Sequence, residues 1–284
     1  MSVLTVLVRA ASRVGEGPVW DAAAGLLRWV DILAGELHAT DPGTGTTASI
    51  TVPTLVGAAA PRAGGGLVLA TREGFAALDG DAFTPQPPVL TPGYRMNDAA
   101  CDPRGRYWAG STEMSFAPGR GCLHVLDAGW QSQVVLGGLA LPNGMGWSPD
   151  GTTYYLADTM AGEILAFDVE ADTGLPINRR LFCSIEPNRG MPDGMTVDAA
   201  GCLWVALWGG AAVVRLAPDG SELSVVRLPV TQPSACAFGG PALDRLFITS
   251  AREGLDVADD DLDGSLFVLD DPGVRGLPAT PFGG

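Results

Sequence analysis

Two short phrases alternate along this chain, and their recurrence limits what it can fold into. The first is a turn ending in glycine that runs into a strand with large apolar side chains. It reads Asp21–Gly25 then LLRWVDI, 61–66 then LVLAT, and Asp102–Gly105 then RYWAGS. It returns as Ser148–Gly151 then TTYYLADT, Asp198–Gly201 then CLWVALW, and 239–244 then RLFITSA. The second phrase is a glycine, a short strand and usually an aspartate. It reads GELHATD (35–41), GFAALD (74–79), GCLHVLD (121–127), GEILAFD (162–168), GAAVVRLAPD (210–219) and GSLFVLD (264–270). Six copies of each within 284 residues give a period of about 47. The strands are short, rich in β-branched and aromatic residues, and separated by turn residues, and no long stretch has helical periodicity. Four short strands per unit of this length is the arithmetic of a propeller blade, whereas a sandwich has no six-fold self-similarity. The expected fold is therefore all-β, a six-bladed β-propeller, with residues 1–284 as one domain.

Composition narrows the function. A net charge of −15 makes nucleic acid and anionic membrane surfaces poor partners. All 17 basic residues are arginine, which excludes a Schiff-base lysine and a P-loop. The five cysteines, Cys101, Cys122, Cys183, Cys202 and Cys236, show no CxxC spacing and read as reduced thiols in apolar strands. The N-terminal MSVLTVLVRAAS lacks a basic n-region and a long apolar run, and no run of about 18 apolar residues suggests a membrane span. The expected location is cytoplasmic.

The segment from Asn188 to Gly210 carries the strongest chemical signal. It is expected to open with a Pro192-Asp193-Gly194 turn, continue as a strand from Met195, turn again at Asp198–Gly201 and close with a strand to Leu207. In a propeller, the start of each blade's innermost strand lies at one mouth of the central channel. Counting back eight or nine residues from the turn glycine lands on Glu16, Gly57, Asn97, Asn143 and Asp193, with Ser234 in the approximate place of the last blade. Equivalent positions in a radial repeat converge, so two carboxylates and two amides gather around one point. Such an oxygen-rich cage suits Ca²⁺, Mg²⁺, Mn²⁺ or Zn²⁺. Any one of these residues alone would read as a strand or turn cap; four in register read as a site.

At these residues the sequence resembles the SMP-30/gluconolactonase (regucalcin-like) family of sugar lactonases. The motifs are Gly15-Glu16-Gly17-Pro18-Val19-Trp20, Arg95-Met96-Asn97-Asp98, Pro142-Asn143-Gly144, Pro192-Asp193-Gly194-Met195 and Cys236-Ala237-Phe238-Gly239-Gly240, in order along essentially the whole chain. The resemblance implies a six-bladed propeller with one divalent cation in its channel. It places Glu16, Asn143 and Asp193 at metal-ligand positions, Arg95 and Asn97 at positions that bind the sugar lactone, and Asp193 at that of the general base. The loop 114–120, MSFAPGR, has no acid where some members carry a substrate-contacting glutamate, so the resemblance does not extend to the identity of the sugar.

The expected activity is thus metal-dependent hydrolysis of a sugar lactone, with a cation polarising the carbonyl and Asp193 accepting the proton of water. A non-catalytic propeller binding a cation, small ligand or partner is the alternative, as is a propeller esterase or phosphotriesterase. Arg95 beside Asn97 favours a hydroxylated substrate. His38 and His124 occupy one slot of the second phrase, on an outer strand, and no G-x-S-x-G elbow is present, so Ser-His-Asp and Cys-His chemistry are set aside. The run from Asp259 to Asp270 fits an EF-hand loop by letter, but it leads into a strand and reads as a solvated inter-strand loop. The tryptophans on repeat strands are expected to fill the wedges between blades, and Trp208 is a candidate for the channel mouth.

Overall fold

A computed structural model of the chain describes residues 2–258 and 261–284. It is a six-bladed β-propeller, each blade an antiparallel four-stranded sheet. The innermost strands are Gly15–Asp21, Val56–Pro61, Tyr94–Cys101, Pro142–Trp147, Met191–Val197 and Gln232–Gly239. Six apolar clusters, each shared by two neighbouring blades, hold the ring together. One joins Trp20, Leu27 and Trp29 of the first blade to Phe247, Leu266 and Val268 of the last. The tandem reading is incomplete in one respect. The last blade takes its outer strand from the N-terminus, where Val3–Val8 pairs antiparallel with Leu266–Asp270. Joining the first and last blades by hydrogen bonds closes the ring.

The recurring aspartate of the turn phrase has a physical purpose. Asp198 accepts the N–H groups of Ala200 and Cys202, and its other oxygen takes the Trp204 indole N–H at 3.0 Å and Arg215 Nε at 2.9 Å. Asp102 does the same with Arg104 N, Arg106 and Trp108 Nε1. One carboxylate thus closes the turn and fixes the bulky ring of the following strand. Trp29, Trp108 and Trp204 are fully buried in the seams between blades, as expected. All five cysteines are free thiols.

The acidic run begins at Asp259 and Asp260, which lie outside the described residues. Beyond them, Asp263 is buried and accepts the Thr231 N–H, so this carboxylate serves the blade rather than facing solvent, whereas Asp270 pairs with Arg245 and keeps a half-exposed side chain.

After the last strand the chain runs as a strap across the end of the channel remote from the start of the inner strands. Arg275 O accepts Ala199 N and Gly276 N donates to Leu243 O. Further on, Phe282 exchanges backbone hydrogen bonds with Pro61 and Ala63. Its ring is fully buried, edge-on to Trp130 at 5.1 Å and tilted against Tyr107 at 6.4 Å. Replacing it leaves a cavity beneath the strap. Phe282→Ala is expected to lower the unfolding free energy by about 3–5 kcal/mol in a urea titration, and Phe282→Leu by clearly less.

Candidate functional site

Every innermost strand breaks register with its neighbour at the position picked out by the repeat. The irregularities fall between Glu16 and Val19, Val56 and Ala58, Met96 and Ala99, Pro142 and Met145, Pro192 and Met195, and Pro233 and Cys236. A bulge turns a side chain out of the alternation of a regular strand, here toward the axis. Pro192-Asp193-Gly194 is therefore not a turn but the irregular middle of the strand Met191–Val197. Gly194 is not in the left-handed region; the small residue is required because a neighbouring strand passes too close. A Cβ on Gly194 would overlap Ala235, and one on Gly144 would overlap the Asp193 carbonyl oxygen.

The structure brings the expected residues together. Glu16, Arg95, Asn97, Asn143 and Asp193 are each 7% exposed or less. Asn143 Nδ2 donates to Asp193 Oδ1 and to Thr159 Oγ1, while Asn143 Oδ1 is buried with no hydrogen-bond partner among the described residues. Arg95 Nη1 donates to Asn97 Oδ1 at 2.7 Å and to Met96 O at 3.0 Å. Asn97 Nδ2 reaches across to Pro142 O at 3.1 Å. Glu16 Oε2 accepts the Gly17 N–H at 2.8 Å. Gly57 brings no side chain, and Ser234 turns its hydroxyl to Gly15 O and Thr249.

Electrostatics sets this region apart. Burial, followed by the charges of Asp193 and Asp98, pushes the Glu16 carboxyl well above its ordinary range. Burial and then Asp98 do the same to Asp193, against the opposing pull of the Asn143 hydrogen bond and Arg95. Burial lowers Arg95 to about 10, and it remains a cation at neutral pH.

Asp98 is a buried carboxylate of the channel that repeat counting misses. It stands one place beyond Asn97 and its carboxyl is raised to about 6, mainly by burial. It lines a cavity of about 430 Å³ in the channel, beside Pro18, Met145, Met195 and Cys236 and ending at the strap, Leu277–Thr280. The signals in the sequence are its adjacency to Asn97 and its place at the end of the Arg95-Met96-Asn97-Asp98 motif. Two further neighbours carried no signal in the repeat. Thr159 contacts Asn143, and the Phe116 ring, from the loop 114–120, lies under the Arg95 guanidinium at 5.9 Å.

Residues 14–252 match the SMP-30/Gluconolactonase/LRE-like region. The chain belongs to this family. It is 37% identical over 273 residues to a 6-deoxy-6-sulfogluconolactonase of Pseudomonas putida, covering 93% of each protein. A pentonolactonase of Haloferax volcanii is 36% identical over 277 residues, covering 94% of each. Among solved structures, a calcium-binding protein, regucalcin, from Agrobacterium tumefaciens superimposes with a TM-score of 0.91 at 30% identity, covering 98% of this chain and 96% of that one. The two lactonases are hydrolases of the ester bond of a lactone, and the third relative is described by its calcium. The SMP-30/gluconolactonase relatives thus share this chain's whole propeller rather than one part of it.

The two histidines sit away from the channel, on third strands. His38 Nδ1 bonds Ser49 Oγ at 2.7 Å and His124 Nε2 bonds Ser111 Oγ at 2.8 Å. Burial lowers His124 to about 4. The unfolded chain takes up this proton near 6.5, so the neutral imidazole contributes fully above that pH and its contribution is lost as pH falls toward 4. That loss amounts to about 3 kcal/mol. Urea titrations at pH 7.5, 5 and 4 are expected to show His124→Gln losing that much less stability than the parent on acidification.

Proposed function

We propose that this chain is a sugar lactonase that uses one divalent cation held by Glu16, Asn143 and Asp193. The observation that carries the reading is the orphaned Asn143 Oδ1, buried beside two carboxylates whose proton affinity is raised. Leaving a buried acceptor unpaired costs about 1–3 kcal/mol, and the same oxygen with Glu16 and Asp193 is a hard donor set matched to a cation such as Ca²⁺, Mg²⁺, Mn²⁺ or Zn²⁺. The residues present therefore fit the cation that the calcium-binding relative suggests. When bound, such a cation supplies a Lewis acid for the lactone carbonyl oxygen and offsets the repulsion between the carboxylates.

The chain's own groups supply the rest. Arg95 is held rigid by Asn97, Met96 O and the Phe116 ring, and presents a fork of donors to ring hydroxyls. Asn97 is itself locked against Pro142 O, so the pair forms a fixed polar wall rather than a mobile one. Asp193 takes a proton from the attacking water as its oxygen bonds to the carbonyl carbon, and returns it to the ring oxygen when the C–O bond breaks. The product is the open hydroxy acid. A carboxylate that accepts a proton in the transition state contributes an effect of about 10² to 10⁴ in rate. A hydroxylated lactone suits the polar wall better than an apolar ester does.

Two measurements test the reading. In a pH-stat assay on a panel of aldonolactones with re-metallated protein, Asp193→Ala and Asn143→Ala are each expected to lose about 10²-fold or more in kcat/KM. Addition of the divalent cation at about 100 times its Kd to chelator-treated protein is expected to raise the unfolding free energy by about 2.7 kcal/mol. Turnover of no lactone by the parent protein, with or without metal, would return the site to a binding role.

A further inference from the structure

A carboxamide is two-faced, and a site that needs its oxygen must control which end points inward. Asn143 can turn its amide by 180° at little intrinsic cost, because that terminal torsion is broad and roughly two-fold. Two acceptors hold Nδ2, Asp193 Oδ1 and Thr159 Oγ1 at 3.0 Å, and leave Oδ1 without a partner among the described residues. Under the functional reading above, the Asp193 oxygen is drawn to the cation and its grip on the amide weakens. Thr159 is the partner with no other part in the site.

Its own placement is unusually firm. Thr159 is buried at the start of a single 3₁₀ turn, Thr159–Ala161, that follows the strand Thr153–Asp158. Its backbone N–H donates to Leu141 O at 3.0 Å. The preceding Asp158 accepts Ala140 N at 3.0 Å and Leu141 N at 2.9 Å. Two consecutive residues thus fix the chain entering the strand Pro142–Trp147 and the side chain at that strand's second position.

We propose that Thr159 is a positioning residue: its hydroxyl keeps the Asn143 amide oriented with Oδ1 toward the channel axis and so sets the affinity of the site for a divalent cation. Groups that orient a metal ligand typically contribute 10- to 100-fold in affinity. This rests on the functional reading but makes a separate claim about a residue that touches neither cation nor substrate.

The test is calorimetric titration of chelator-treated protein with Mn²⁺ and with Ca²⁺, which reads affinity without turnover. Thr159→Val, of nearly the same shape but without the hydroxyl, is expected to raise Kd about 10- to 100-fold; Thr159→Ser, which keeps the hydroxyl, is expected to stay within about threefold of the parent. Thr159→Ala takes the place of valine should the latter fail to fold. The same pair of substitutions is then made on Asn143→Asp, whose carboxylate offers an oxygen whichever way it turns. There Thr159→Val should change Kd by less than about threefold, an outcome that general loosening of the site would not give. A parent that binds the cation and a Thr159→Val variant that binds it equally well would overturn the proposal alone. A parent that takes up no divalent cation would overturn the functional reading and this proposal together.

Discussion

The tight approach of six backbones around one axis governs the molecule. Where the innermost strands meet there is no room for a Cβ at Gly144 or Gly194, and each strand leaves regular pairing at the same depth. Those two facts are one constraint seen from two sides. Strands that converge on a narrow ring cannot all keep an alternating side-chain pattern, so each bulges, and the bulge delivers the residue before the glycine to the axis. The polar side chains at the channel mouth follow from the way the ring closes.

Much of this is written openly in the sequence. The blades are legible because each repeats a turn glycine and an apolar strand, and in two of them an aspartate ties the turn to a bulky ring, as Asp102 does for Trp108 and Asp198 for Trp204. The convergence of Glu16, Asn97, Asn143 and Asp193 is legible because radial repetition converts equal spacing into spatial proximity. What resisted reading depends on contacts between blades. Pro192-Asp193-Gly194 looks like a turn by local chemistry, yet the close passage of Ala235 makes it strand. Asp98 reaches the channel only because the strand has slipped register beside it. The N-terminal strand and the C-terminal strap are invisible to periodicity, since each is used once.

The site works against the stability of the rest. Glu16, Asp98 and Asp193 share a buried region with one guanidinium, Arg95, whose charge lowers both Glu16 and Asp193 without offsetting their burial. A sequence selected for folding alone would not place three acids there. The surrounding fold tolerates them because six apolar interblade clusters hold the ring together around the channel.

Glu16, Asn143 and Asp193 belong to three different blades, the first, fourth and fifth. Their separation therefore depends on the girth of the ring, and one joint of that ring is where Val3–Val8, the strand preceding the first blade, pairs with Leu266–Asp270. The clasp and the centre are linked like a hoop and its spokes. For the cation proposed above, binding across these three blades and fastening at the periphery would support one another, with equal free energy in both directions.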